Sequence, residues 1–314
     1  MPFKFFHPRY WATWLGVAFL HLVILLPWKW QMTLGEWIGK LLYRVLPARR
    51  KISCINLQIA FPDLSVSEQE KLNRKHFISL GQGLIEAALG WWGSEKQIQK
   101  LTHIEGREYL EKAKGDQRVL LLGSHFASLE VGGRIIANHM PLHAVYRPHQ
   151  NALIEYLVAK QRTINCGKAI PKTNIRELIK SIKAGFPSWY ATDQNYRGKG
   201  SILVPFFGIE APTNPGTTRL AKMTKAIIIP CICVRLLDNK EPRKGYLLRF
   251  YPPVEDFPSN DVLADTTRLN QIIEAQIKDF PAQYLWTHKR YKHYKDQNKD
   301  FYADYLASHE ASCQ

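Results

Sequence analysis

The sequence predicts an α/β layered fold, entered through a helical segment and an N-terminal membrane-anchor helix. Three observations predict it. Beyond residue 93 or so, short apolar runs such as "RVLLLG" and "AIIIPCICVRLL" alternate with amphipathic helical patterns, as strands and helices do in layered folds. Residues 1 to about 92 read as helical throughout. The first 30 residues hold a long apolar stretch without a charge. With 314 residues, 46% of them hydrophobic, the chain is long enough for one large domain with a sizeable core.

The anchor comes first. No Lys, Arg, Asp or Glu lies between Arg9 and Lys29, and "YWATWLGVAFLHLVILLPW" runs for 19 residues. As a helix it would measure about 28 Å, at roughly 1.5 Å per residue, close to the roughly 30 Å of bilayer hydrocarbon. Tyr10, Trp11 and Trp14 flank one end, Trp28 and Trp30 the other. His21 and Pro27 weaken a span and leave a buried helix or an in-plane anchor as the alternatives. No small-residue cleavage site follows, so a signal peptide is not expected. Lys40, Arg44, Arg49, Arg50 and Lys51 outnumber Lys4 and Arg9, which puts the bulk of the chain in the cytoplasm. The expected division is an anchor helix over 1–30, a main domain over 31–295 and a polar, loose tail over 296–314.

Thr33 and Glu36 match a capping box ahead of a helix that Pro47 stops, and Ser65 and Glu68 match a second one ahead of a helix reaching "ALGWWG". Next come a strand "RVLLLG", a helix from about Phe126 to Asn138, a strand "HAVYR", and a helix "NALIEYLVAKQRTIN". "IRELIKSIKAG" is a helix with Gly185 past its end. "SWYATDQ", "AIIIPCICVRLL" and "GYLLRFY" are strands, and "TTRLNQIIEAQIKDF" is the last clear helix.

Lys and Arg total 43 against 27 acids, a net charge of +16, which favours an anionic partner without choosing one. No helix-turn-helix, zinc finger, RRM or KH pattern appears, so nucleic acid is not expected. Five scattered cysteines do not read as a disulfide framework, and a reducing compartment is the simpler reading. Cys231 and Cys233 read as small strand residues. No metal-ligand spacing is present, and neither a metal nor a cofactor is expected.

The chemistry centres on "VLLLGSHFASLE", residues 119–130. A buried strand ends at Gly123-Ser124, and His125 follows with Glu130 five positions on. A His-x4-acid pattern is weak alone; His103…Glu108 matches it too, within a charged stretch that reads as a solvated helix and its lead-in. His125 differs by following a strand, where sites in open α/β sheets assemble. Glu130 could then hold Nδ1 and leave Nε2 free to take a proton; a satisfied structural histidine is the other reading. Positions i and i+5 are about 140° apart on a helix, so the pairing needs His125 in the turn.

Around this motif the chain resembles the late (secondary) acyltransferases of lipid A synthesis, bacterial membrane enzymes related to the glycerolipid acyltransferases. The resemblance runs over about residues 1–295, through "RRKISCINLQIAFP", "GSHFASLEVGGR", "VYRPHQNALIE", "WYATDQN", "VPFFGIEAPTNPGTTRLA" and "QYLWTHKRYK". It implies a mixed, mostly parallel central sheet flanked by helices. It implies His125 as catalytic base with Glu130 as its partner, and Arg162 and Asp193 as further catalytic residues. Ser124, Arg147 and Asn151 stand where residues line the site. Asn195 departs from the family, which often has a second acid there.

The implied reaction is transfer of a lauroyl or myristoyl chain from acyl carrier protein to a hydroxyl of a lipid A precursor, at the cytoplasmic side of the bacterial inner membrane. A His-Glu general base would serve, without an acyl-enzyme; Ser124 and Ser128 lie in no Gly-x-Ser-x-Gly elbow. Arg162 or helix amides could meet the oxyanion. Arg49, Arg50 and Lys51, and Lys289, Arg290 and Lys292, are candidate contacts for anionic partners, with ordinary solvated or lipid-facing charge as the other reading; Trp91 and Trp92 are candidates for the acyl path or the membrane interface, with core packing as the other reading. Rival readings are an acyltransferase for another glycolipid or a lysophospholipid, a thioesterase, and a membrane-tethered protein that binds anionic ligands without chemistry.

Overall fold

The computed structural model describes residues 2–112, 117–237, 244–292 and 301–308. A helical layer comes first: α1 (Trp11–Val23), α2 (Trp28–Val45), α3 (Pro47–Ala60), α4 (Val66–Trp92) and α5 (Glu95–Leu101). Then follow β1 (Thr102–Glu105), α6 (Arg107–Lys112), β2 (Arg118–Gly123), α7 (Leu129–His139), β3 (His143–Tyr146), α8 (Ala152–Cys166), β4 (Lys168–Pro171), α9 (Ile175–Lys183) and β5 (Ser188–Ala191). The hairpin β6 (Ile202–Phe206) and β7 (Ile209–Thr213) leads to α10 (Gly216–Thr224), β8 (Ala226–Leu236), β9 (Gly245–Phe250), α11 (Val262–Asp279) and α12 (Phe301–Ser308).

Seven strands form one sheet in the order β1-β9-β8-β2-β5-β3-β4. Every pairing in it is parallel except β8 with β9, so the sheet is mixed and mostly parallel, as expected. β2 explains why its strand reads as an unbroken apolar run. Leu120 and Leu122 enter the core on one face, and Val119 and Leu121 enter the core on the other. A strand covered on both sides needs apolar side chains in both directions.

Ser65 caps α4 and Glu68 returns the bond, as the sequence predicts. The other capping box is not used. α2 starts directly after Pro27, so Thr33 lies inside it and bonds the Lys29 carbonyl at 3.0 Å. α2 and α4 meet backbone to backbone: a Cβ on Gly81 would lie 2.2 Å from the Gly35 carbonyl oxygen. Pro47 both follows the end of α2 and opens α3 at its first turn, where its missing N–H costs nothing.

The N-terminal stretch does not form the expected anchor helix. α1 is 13 residues long, about 20 Å at ~1.5 Å per residue. Pro27 cannot continue it. The Gln31 amide donates to the carbonyls of Ile24 and Leu26 at 3.1 and 2.8 Å, closing the turn. Among the described residues no helix is long and apolar enough to cross a membrane. Instead α1 and α2 leave an apolar face uncovered: Trp11, Leu15, Phe19 and Leu22 on one, Trp30, Trp37 and Leu41 on the other.

Three smaller departures follow. His103 sits in the edge strand β1 and meets the Lys244 carbonyl at 3.2 Å. Cys166, Cys231 and Cys233 are buried free thiols, whereas Cys54 is disulfide-bonded, against an entirely reduced set. Within the expected loose tail, α12 packs its buried Tyr302 on α3, the hydroxyl donating to Asn56 Oδ1 at 2.8 Å; residues 296–300 and 309–314 lie outside the described residues.

Candidate active site

β2 and β5 are parallel neighbours, with Gly123 in register with Ala191. Two residues beyond each strand end stand His125 and Asp193. The register therefore brings them together at the carboxyl edge of the sheet. The His125 backbone N–H donates to Asp193 Oδ2 at 2.9 Å, and ring Nδ1 lies 2.7 Å from Oδ1. An ionised carboxylate only accepts, which fixes the proton on Nδ1. No protein partner for Nε2 occurs among the described residues. The His125 side chain is 28% exposed, that of Asp193 0%.

Charge and burial oppose each other here. Burial alone would lower the His125 pKa, but the Asp193 charge and its hydrogen bond raise it above the ordinary value. Burial alone would raise the Asp193 carboxyl, but the His125 charge and the hydrogen bonds from its ring and backbone hold it below the usual range.

The turn carrying His125 is pinned from outside. Phe126 forms an antiparallel bridge with Tyr284. The Leu285 N–H donates to the His125 carbonyl at 3.0 Å, and the Ala127 N–H to the Gln283 carbonyl at 2.8 Å. This bridge delays α7 until Leu129, whereas the sequence predicts a start near Phe126. Gly123 is needed for close approach: a Cβ there would lie 1.9 Å from Trp189 Nε1. The Trp189 ring in turn meets His125 edge-on at 5.9 Å.

Glu130 is not the partner of His125. It sits in the first turn of α7 and faces α4 and α8. Trp91 Nε1 donates to its Oε2 at 2.7 Å, Arg162 Nε to the same oxygen at 3.4 Å, and Arg162 Nη2 to Oε1. The Arg162 guanidinium also lies over the Tyr146 ring, 5.2 Å from its centre. The expected His-Glu pair is replaced by two neighbouring pairs, His125–Asp193 and Glu130–Arg162.

His125, Glu130 and Arg162 border one cavity of about 280 Å³, and Asp193 is fully buried. Its mouth carries His125, Glu130, Arg134, Arg147 and Arg162, and its inner end is apolar, with Ile136, Leu142, Cys233 and Leu248. Ser124 and Arg147 line it. Asn151 does not. Its side chain caps α8, accepting from the Leu153 and Ile154 N–H at 3.0 and 3.2 Å, and donates to Thr13. Arg290 likewise is no surface contact: it is buried and donates to the Pro212 carbonyl at 2.7 Å.

Sequence reading missed Tyr146, Arg134 and Tyr284 as parts of this site. Tyr146 and Arg134 gave no signal beyond their family blocks. Trp91 lines the cavity and bonds Glu130.

The family described as bacterial lipid A biosynthesis acyltransferase matches residues 2–293. The chain belongs to this family. It is an acyltransferase. The lipid A biosynthesis palmitoleoyltransferase of Escherichia coli (strain K12) is 36% identical to this acyltransferase over 291 residues, covering 92% of this chain and 94% of that protein. The lauroyltransferase of the same organism is 36% identical over 288 residues, covering 91% and 93%. A solved structure, the 1-acyl-sn-glycerophosphate acyltransferase of Thermotoga maritima, aligns over 76% of this acyltransferase and 100% of that chain, at 11% identity and a TM-score of 0.38.

Proposed function

We propose that the protein transfers a fatty acyl chain from acyl carrier protein to a hydroxyl of a lipid A precursor. The observation that carries this reading is the His125–Asp193 pair, with Nε2 open to a cavity that is charged at its mouth and apolar within. The names of the two Escherichia coli relatives support the acceptor. The net charge of +16 suits an acidic carrier protein and a phosphorylated acceptor.

His125 Nε2 takes the proton of the acceptor hydroxyl as its oxygen attacks the thioester carbonyl. Asp193 holds the tautomer and stabilises the imidazolium that forms. Arg162, whose Nη1 has no acceptor among the described residues, supplies positive charge beside the developing oxyanion. The carbon–sulfur bond then breaks, and the leaving thiolate regains the proton from Nε2. The step is direct, without an acyl-enzyme. Ser128 Oγ is committed to Glu86 at 2.9 Å, and neither Ser124 nor Ser128 hydrogen-bonds His125 among the described residues.

The chain works at the cytoplasmic face of the inner membrane, lying on it instead of spanning it. The uncovered apolar faces of α1 and α2 enter the leaflet, and exposed Lys4, Arg9, Lys29, Lys40 and Arg44 meet its anionic headgroups.

Acyl transfer from lauroyl, myristoyl and palmitoyl acyl carrier protein to a lipid A precursor, read by mass spectrometry, tests the chemistry. Wild type adds an acyl mass and His125→Ala does not. Absence of transfer by wild type from every donor overturns the reading. Flotation with anionic vesicles tests the surface: Leu15→Glu with Leu22→Glu releases the protein from them, and unchanged flotation removes α1 from the membrane contact.

A further inference from the structure

The cavity at the active site shares two lining side chains with a neighbouring hollow. Ile136, from α7, and Leu248, from β9, line its inner end and are 4% and 2% exposed. Beside them lies a second, smaller cavity of about 20 Å³, bordered by Leu110, Met140 and Phe250 and, on its polar side, by Arg107, Glu111 and His139. Ile136 and Leu248 are the two residues that both cavities share. They separate two hollows, within a core cluster that also holds Leu110, Leu142 and Phe250.

We propose that Ile136 and Leu248 form the end stop of the acyl-chain site and set the longest chain that the protein accepts. The inference rests on the reading that this cavity receives the acyl chain of the donor. With the thioester carbonyl beside His125, the chain has one apolar direction open to it, inward under α7. Its terminal methyl group then meets the partition. A longer chain can be seated only if the partition yields, because a packed interior does not give way by a methylene without cost. Family membership does not decide the length. A palmitoleoyltransferase and a lauroyltransferase are each 36% identical to this chain.

Trimming the partition joins the two cavities, and enlarging it shortens the first. The two changes therefore move donor preference in opposite directions. General loss of stability lowers all donors alike and produces no such reversal. Gly133 offers an independent lever, since a Cβ there meets nothing within 4 Å and position 133 borders the cavity upstream of the wall.

The experiment compares kcat/KM for decanoyl, lauroyl, myristoyl and palmitoyl acyl carrier protein in wild type, Ile136→Ala, Leu248→Ala, Ile136→Phe and Gly133→Leu. Ratios between donors are used, because they do not depend on the fraction of protein folded. Ile136→Ala and Leu248→Ala shift the ratio of long to short donors upward by about tenfold or more, the scale set by one methylene in an apolar pocket. Ile136→Phe and Gly133→Leu shift it downward by a similar factor. If either Ala variant fails to fold, Ile136→Phe and Gly133→Leu still decide. Donor ratios that stay at the wild-type value in every folded variant overturn the end stop while leaving the acyl-transfer reading intact. A wild type inactive with all four donors overturns that reading and this inference with it.

Discussion

Asp193 binds His125 twice, through the backbone N–H at 2.9 Å and ring Nδ1 at 2.7 Å, from a position that is fully buried. One carboxylate thus fixes both the chain and the tautomer of the residue that follows β2. Asp193→Asn keeps the volume but can turn a donor toward Nδ1, leaving the proton on Nε2, where a base is needed. We expect kcat to fall about 10²- to 10⁴-fold, with KM changed little. Steady-state transfer kinetics check it. A rate that survives the substitution would remove Asp193 from the mechanism.

The same pair sets a pH dependence. The base must be neutral, and its pKa is raised. Activity therefore rises with pH through a value above the ordinary 6.5 or so of histidine. Asp193→Asn moves that acid limb to lower pH. Stability runs the other way. The raised His125 pKa contributes stability that is full below about 6.5 and lost as pH rises through the folded value. The lowered Asp193 pKa contributes stability present above about 3.9 and lost as pH falls through its folded value. The destabilisation caused by Asp193→Asn is thus largest between about pH 4 and 6.5. Denaturant titrations of both proteins at pH 5.5 and pH 9 measure it.

Glu130 answers to Arg162 and Trp91, so its replacement has a different signature. Glu130→Gln keeps an acceptor for the Trp91 indole but removes the charge that holds Arg162. We expect a fall in kcat of about 10- to 100-fold, the scale of a displaced oxyanion donor or a misplaced site. The acid limb of the pH profile should not move. If it moves as far as in Asp193→Asn, Glu130 acts on the histidine after all.

His125 was legible because a buried strand ending in Gly-Ser announces the edge of a sheet. Its partner was not. The carboxylate visible nearby in sequence was Glu130, whereas Asp193 reaches His125 only through the β2–β5 register, 68 residues away. That register is a tertiary fact, and only the family resemblance marked Asp193. The strands show the same divide. β2, β8 and β9 stood out as apolar runs, but β1 and β4 lie at the two edges of the sheet and carry mixed polarity. β6 and β7 each contain a proline, Pro205 and Pro212, which blunts a strand pattern. The anchor misled for a related reason. Its composition suits a bilayer, and Pro27 decides that the helix is too short.

Gly123 tests how tightly the strand end is built. A methyl group there collides with the Trp189 indole, 1.9 Å from Nε1 and 2.2 Å from Cε2. Gly123→Ala should cost about 1–3 kcal/mol by overpacking and displace the turn holding His125. Adding Trp189→Phe removes the colliding pyrrole edge and should recover part of both stability and activity. A double-mutant cycle by thermal denaturation reads the coupling. Strict additivity would mean that the clash is relieved elsewhere.

The turn is also braced from the helical layer. Glu86, on α4, and Arg235, on β8, are almost wholly buried and form an ion pair at 2.5 Å. Ser128, which precedes α7, donates to the other Glu86 oxygen at 2.9 Å, and Arg235 donates to Ser79 at 2.8 Å. Glu86→Ala strands a guanidinium in the core and frees Ser128, three residues from His125. Breaking one side of such a pair typically costs about 3–5 kcal/mol, whereas replacing both with apolar groups can be nearly neutral. Glu86→Leu with Arg235→Met should therefore be more stable than Glu86→Ala alone, by chemical denaturation. Activity need not follow stability. The double variant still lacks the acceptor for Ser128, so its transfer rate should stay below wild type even where the protein is fully folded. A fully active double variant would show that α7 and the His125 turn are held by the Gln283–Leu285 bridge alone.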